Sequence, residues 1–138
     1  MKKLFLILVL LFISIICQAQ LLKQREVYYE GLFSKAINGT TQVVLKDLSR
    51  VDIVTDTFAI EIDFADKWAE SVGQSLYYAH VLDRKPGVLL IVNGNAEERY
   101  VLRLLKVAEK EDITVWLWNY NNDTWKRTKI SSIYSYKF

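Results

Sequence analysis

The residues able to do chemistry cluster in one short stretch. Asp52 follows Arg50-Val51, and Glu61 and Asp63 lie in Phe58-Ala59-Ile60-Glu61-Ile62-Asp63-Phe64. In an extended chain successive side chains alternate between faces. Phe58, Ile60, Ile62 and Phe64 then form one apolar face, and Ala59, Glu61 and Asp63 form the other. In the preceding run Val51 and Ile53 point one way and Asp52 the other. A hairpin around Asp56-Thr57 would bring Asp52 beside Glu61. Three carboxylates on one sheet surface repel one another unless solvent or a cation compensates. A divalent ion would do so and could activate water for attack on a phosphodiester. The same alternation also describes a wet acidic sheet face that holds no ion.

The elements that must position these carboxylates read as one α/β unit. A helix is expected over 24–37, with Asn38-Gly39 as its left-handed stop. Strands follow at 42–45, 51–55 and 58–64. The clearest helix covers 65–82, with Trp68, Val72, Leu76 and Ala79 as its buried stripe. Its polar stripe carries Lys67, Glu70, Ser71, Gln74 and Tyr78. A lysine and a glutamine beside a phosphate-binding metal make chemical sense, and a solvated helix side would look the same. Lys85-Pro86-Gly87 reads as a break before a buried strand at 88–92. A helix at 96–110, a strand at 113–120, a turn at Asn121-Asn122-Asp123 and a last strand at 124–130 complete the order.

The ends of the chain set the context. Lys2 and Lys3 precede a 13-residue apolar run, Leu4 to Ile16, the size of a signal-peptide core. Such a run is short of the roughly 20 residues needed to span a bilayer. Cleavage is expected after Ala19, giving a leader at 1–19 and an exported protein, periplasmic or secreted, with no stable membrane anchor. The full chain has 18 basic and 16 acidic residues, so loss of Lys2 and Lys3 leaves 16 of each. That balance excludes a uniformly basic nucleic-acid coat protein. Cleavage also removes Cys17, the one cysteine, and His80 is the one histidine. Disulfides, thiolate chemistry and histidine-cluster zinc sites are excluded on that basis, which leaves carboxylates and hard ions.

The segments Arg50-Val51-Asp52, Ala59-Ile60-Glu61-Ile62-Asp63 and Gln74-Ser75-Leu76-Tyr77-Tyr78-Ala79 resemble the PD-(D/E)xK phosphodiesterase superfamily. The resemblance implies a restriction-endonuclease-like αβββαβ core with a mixed central sheet flanked by helices, extended by a C-terminal helix and strands. It covers roughly 25–92, and the domain is expected at 20–120 with a hairpin strand or tail at 121–138. Asp52 and Glu61 match the family's metal-binding Asp and Glu, so Mg²⁺ or Mn²⁺ is the implied cofactor and DNA the implied partner. Gln74 with Tyr78 matches the Gln-x-x-x-Tyr signature of exonuclease branches. Val51 stands for the motif proline, and Asp63 for the lysine that normally positions the attacking water. Some active members carry an acidic residue there, and others move the lysine to the next helix, where Lys67 is placed.

The expected site is therefore Asp52, Glu61 and Asp63 as metal ligands, with Lys67 and Gln74 in catalysis. Glu26 and Glu30, one helical turn apart, are expected as a surface acidic pair, although the resemblance also allows either to lie near the metal, and His80 is expected as a surface or satisfied histidine. In the tail Trp125, Lys126, Arg127 and Lys129 mix cations with an aromatic ring, a pattern suited to a phosphate backbone and stacked bases. An ordinary basic strand reads the same way. Two functions stay open: an exported metal-dependent deoxyribonuclease, and an inactive nuclease fold that binds nucleic acid or protein.

Overall fold

The computed structural model describes residues 25–128, together with the single position 5. The expected leader cleavage site, Cys17, Lys129 and the chain beyond it lie outside the described residues. No helix among the described residues is long and apolar enough to cross a membrane.

Helix α1 (Glu26–Ile37) ends at Asn38, whose φ of 55° is left-handed and whose N–H bonds Ser34 O. Strands β1 (Thr40–Val44), β2 (Arg50–Val54) and β3 (Phe58–Phe64) follow as two hairpins. A 3₁₀ turn (Ala65–Lys67) leads into α2 (Trp68–Leu82), and then come β4 (Lys85–Val92) and α3 (Glu98–Lys110). Strands β5 (Thr114–Asn119) and β6 (Thr124–Thr128) close the order. One six-stranded open sheet results, in the order β1-β2-β3-β4-β5-β6. Its strands pair antiparallel from β1 to β3, parallel from β3 to β5, and antiparallel again between β5 and β6. Parallel neighbours need a crossover, and α2 and α3 supply the two required.

Alternation along the strands sorts the core into two layers. Ile60, Ile62, Leu89, Ile91, Trp116 and Trp118 pack with Tyr29 and Phe33 of α1. Val88, Leu90, Val92, Val115 and Leu117 pack with α3, and Trp68, Val72 and Leu76 of α2 lean on that cluster. The molecule is thus a mixed sheet with α1 on one face and α2 and α3 on the other, an α/β layering in which each helix buries one stripe.

Three local expectations are corrected. Lys85-Pro86-Gly87 does not interrupt the chain; it is the start of β4, paired in register with Phe58-Ala59-Ile60. Gly87 is required there by space, because a Cβ would stand 2.9 Å from both Ile60 Cγ1 and Trp116 Cζ3. Val51 and Ile53 do not share a face: Val51 packs with Tyr78 and Ala79 under α2, whereas Ile53 packs under α1. The strand turns over at Asp52, opposite Gln42, whose φ of 55° is left-handed. Finally, the buried residues of α2 include Ser71 and Tyr78, which the polar stripe was expected to leave wet, and Ser75 beside them. The two serines can face inward because each hydroxyl is satisfied by a carbonyl of its own helix, Ser71 by Trp68 O and Ser75 by Val72 O.

Candidate active site

The β2–β3 ladder pairs Ile53 with Ile60 and Val54 with Ala59, and then opens. Past that point side chains replace backbone partners. Asp52 Oδ2 accepts a hydrogen bond from the Ile62 N–H at 2.9 Å. In return, the Asp52 backbone N–H hydrogen-bonds the Glu61 carboxylate and favours its charged form. Asp52 and Glu61 therefore meet across the opened hairpin, as the sequence led us to expect.

The face carrying Glu61 and Asp63 is dry, contrary to the wet acidic face considered above. Glu61 is 4% exposed and Asp63 is 7% exposed. Ala59 packs against Tyr78 and Ala79, so α2 covers this face of β3. The two buried serines of α2 do not serve the carboxylates; Ser71 Oγ donates to Trp68 O at 2.9 Å and Ser75 Oγ to Val72 O at 3.0 Å. Glu61 Oε1 is left buried with no hydrogen-bond partner. Burial first, and then the Asp52 charge, push the Glu61 carboxyl up to about 9. Burial, followed by Glu26, raises Asp63 to about 7 against the opposing pull of Lys67. Asp52 is raised as well, chiefly by burial, although the Ile62 N–H works the other way. In all three groups burial outweighs the compensation, which comes from Lys67 at Asp63 and from Arg50 at Asp52.

Lys67 reaches this group from the 3₁₀ turn. Its Nζ is 2.9 Å from Glu26 Oε1 and 3.7 Å from Asp63 Oδ1. The lysine expected to substitute for the missing family lysine therefore stands beside the residue that took its place. Glu26 and Glu30 do not form a surface pair. Glu26 holds Lys67, and Glu30 is buried and accepts a 2.7 Å hydrogen bond from Gln42 Nε2. The same Nε2 lies 3.4 Å from Asp52 Oδ1. An open cleft of about 430 Å³ is lined by Arg25, Arg50 and Lys67 together with Glu26, Glu30, Gln42 and Asp52. Interleaved cations and carboxylates of this kind suit a phosphate and a metal ion held side by side.

Comparison with protein-family models, with curated proteins and with solved structures returns no match.

Among the described residues no three His, Cys, Asp or Glu side chains are grouped as a ready-made metal-holding set. Asp52, Glu61 and Asp63 share an electrostatic environment without converging on one point as three ligands. Gln74 is exposed on α2, apart from the dry carboxylates. Tyr78 is buried, and its hydroxyl is hydrogen-bonded to Ser49 and to the Arg50 backbone, which ties the β1–β2 hairpin to α2. Trp125 and Arg127 lie opposite Trp118 and Trp116 on the α1 side, and Lys126 lies opposite Leu117, whose side chain faces α3. The expected basic aromatic strip is thus split between two faces. Arg127 caps the core, 5.9 Å from the ring centres of both Phe58 and Trp116, and Trp125 packs edge-on against Phe33. His80 is exposed, as expected. Gln42 is the site residue that sequence reasoning missed, since nothing distinguishes a lone glutamine in a short edge strand.

Proposed function

We propose that the chain is a divalent-metal-dependent phosphodiesterase of the PD-(D/E)xK type, exported and acting on DNA. The order of helices and strands agrees with the αβββαβ core that the sequence resemblance implies, through β4, with α3, β5 and β6 as extensions. The observation that carries the reading is the Glu61 carboxyl, buried against Asp52 with one oxygen unpartnered. An orphaned buried carboxyl oxygen is costly, and a cation is the partner that would satisfy it.

The residues fit Mg²⁺ or Mn²⁺. Magnesium usually keeps several waters and takes only one or two protein carboxylates plus substrate phosphates, so a three-carboxylate cage is not required. Asp52 and Glu61 would hold the ion, with Asp63 adding negative charge nearby. When bound, it would supply a Lewis acid and lower the pKa of a water. The chain's own side chains do the rest. Asp52 is held at both oxygens, by Ile62 N–H and by Gln42, which fixes its direction. Lys67 brings one positive charge to the mouth of the cleft, where it can meet a phosphate oxygen once it leaves Glu26 or Asp63. Arg25 and Arg50 line the same cleft and suit the flanking backbone phosphates.

One observation favours a second reading. Lys67 is already engaged by two carboxylates, as in a fold that keeps its ion pairs and binds without cutting. Nuclease assays on linear and circular DNA, with Mg²⁺ or Mn²⁺ against EDTA, separate the two. The phosphodiesterase reading expects metal-dependent cleavage that Glu61→Ala abolishes while the fold persists. A folded wild-type chain that cuts neither DNA nor RNA refutes it and leaves the binding module.

A further inference from the structure

Asp52 can serve the site only if its carboxylate keeps one orientation, and a residue on the neighbouring strand accounts for that. Gln42 sits midway along edge strand β1, bracketed by the pairs Thr41 with Ile53 and Val43 with Val51, which set it opposite Asp52. Its φ is 55°, a left-handed value in the middle of a strand. Glycine and asparagine adopt that region most readily, and glutamine gains nothing there from its backbone. What glutamine brings is reach. Its Nε2 donates to Glu30 Oε2 at 2.7 Å and stands 3.4 Å from Asp52 Oδ1. One neutral amide, with two hydrogens to give, thereby separates two carboxylates brought together by α1 and β2.

We propose that Gln42 is a positioning residue of the candidate site. Its carboxamide clamps Asp52 in the orientation whose other oxygen meets the Ile62 N–H, and it ties Glu30 to the same point. The strained backbone is what turns the amide inward, and it also turns β2 over, so that Val51 and Ile53 part to opposite faces. The functional meaning of the clamp rests on the phosphodiesterase reading above; the clamp itself is a matter of structure and is tested separately.

The test uses the full chain with Gln42→Gly and Gln42→Asn. Both replacements accept the left-handed backbone and remove the reach of the amide; relief of backbone strain offsets part of the cost of leaving Glu30 without its donor, so both are expected to fold, which their melting curves check. Hydrogen exchange of single amides, read by NMR, is the first readout. The Ile62 amide, bonded to the Asp52 side chain, should exchange at least about tenfold faster in both variants, because partners outside the ligand shell govern ligand orientation. The Ile60 amide, in the regular part of the β2–β3 ladder, should keep its protection. Mn²⁺ affinity measured by electron paramagnetic resonance should fall by about tenfold. Unchanged Ile62 exchange in both folded variants overturns the proposal. A wild-type chain that takes up no Mn²⁺ counts against the metal-dependent function and not against the clamp, which the Ile62 exchange decides.

Discussion

Replacing Glu61 by Gln should change how stability depends on pH, and the size of the effect follows from the site. The Glu61 carboxyl lies at about 9 in the folded protein against an ordinary 4.5, mainly because it is buried and faces Asp52. Between those values the native chain holds a proton that the unfolded chain has released. The stability that this group contributes is therefore fully present below the ordinary value and is lost as pH rises through the native one. The slope is about 1.4 kcal/mol per pH unit, and the whole window amounts to about 6 kcal/mol. That is comparable with the entire stability of a typical domain, about 5–15 kcal/mol. Glutamine cannot titrate, so the stability of Glu61→Gln relative to wild type should climb by about 1.4 kcal/mol per unit across the middle of the window. The contribution of Asp63, raised to about 7, has the same sign in both proteins and largely cancels in the difference. Urea unfolding followed by tryptophan fluorescence at a series of pH values measures the effect. Trp116 and Trp118 are buried in the core and should report it directly. Saturating Mg²⁺ should flatten the wild-type slope by favouring the charged carboxyl. Wild-type and variant stabilities that run parallel with pH would refute the argument, because Glu61 would then be as charged in the native state as in the unfolded one.

Two other substitutions test neighbouring claims. Lys67→Met removes ion pairs of a half-exposed ammonium, so it should cost no more than about 1 kcal/mol in urea unfolding. If Lys67 supplies the charge of the absent family lysine, DNA cleavage should fall by at least about 100-fold, and unchanged cleavage would sink that role. Gly87→Ala should destabilise by about 1–3 kcal/mol in calorimetry, since the new methyl collides with Ile60 and Trp116. An unaltered melting temperature would mean that β4 lies farther from β5 than the structure has it.

The layering was legible in the sequence because apolar residues follow the periods of the elements. The continuous run Val88 to Val92 marks a strand covered on both faces, and the alternation of Trp116 and Trp118 with Val115 and Leu117 marks another. Asp52 and Glu61 were legible for the same reason: alternation and a short hairpin suffice to bring them together. What was not legible depended on tertiary space. Ser71 and Tyr78 look like a wet helix side until β3 is known to lie beneath that side of the helix. Glu30 looks like surface charge until Gln42 reaches it. Pro86 and Gly87 read as punctuation because local propensity carries no information about Trp116 on the neighbouring strand. The turnover of β2 at Asp52 stands opposite a left-handed Gln42, and no pattern of residue types encodes a left-handed glutamine.

The bend at Gln42 has a consequence beyond the site. β1 is an edge of the sheet, short and with Val44 exposed, and a flat edge of that composition is a template on which another chain can form β-structure. The left-handed residue at its centre leaves no more than two regular positions on either side, too few for a second strand to register against. Self-association is thereby discouraged by the same distortion that turns an amide toward Asp52. A β-branched replacement such as Gln42→Val, which favours a straight strand, would flatten that edge and should make the protein prone to aggregate, an outcome read from light scattering of the purified chain on warming.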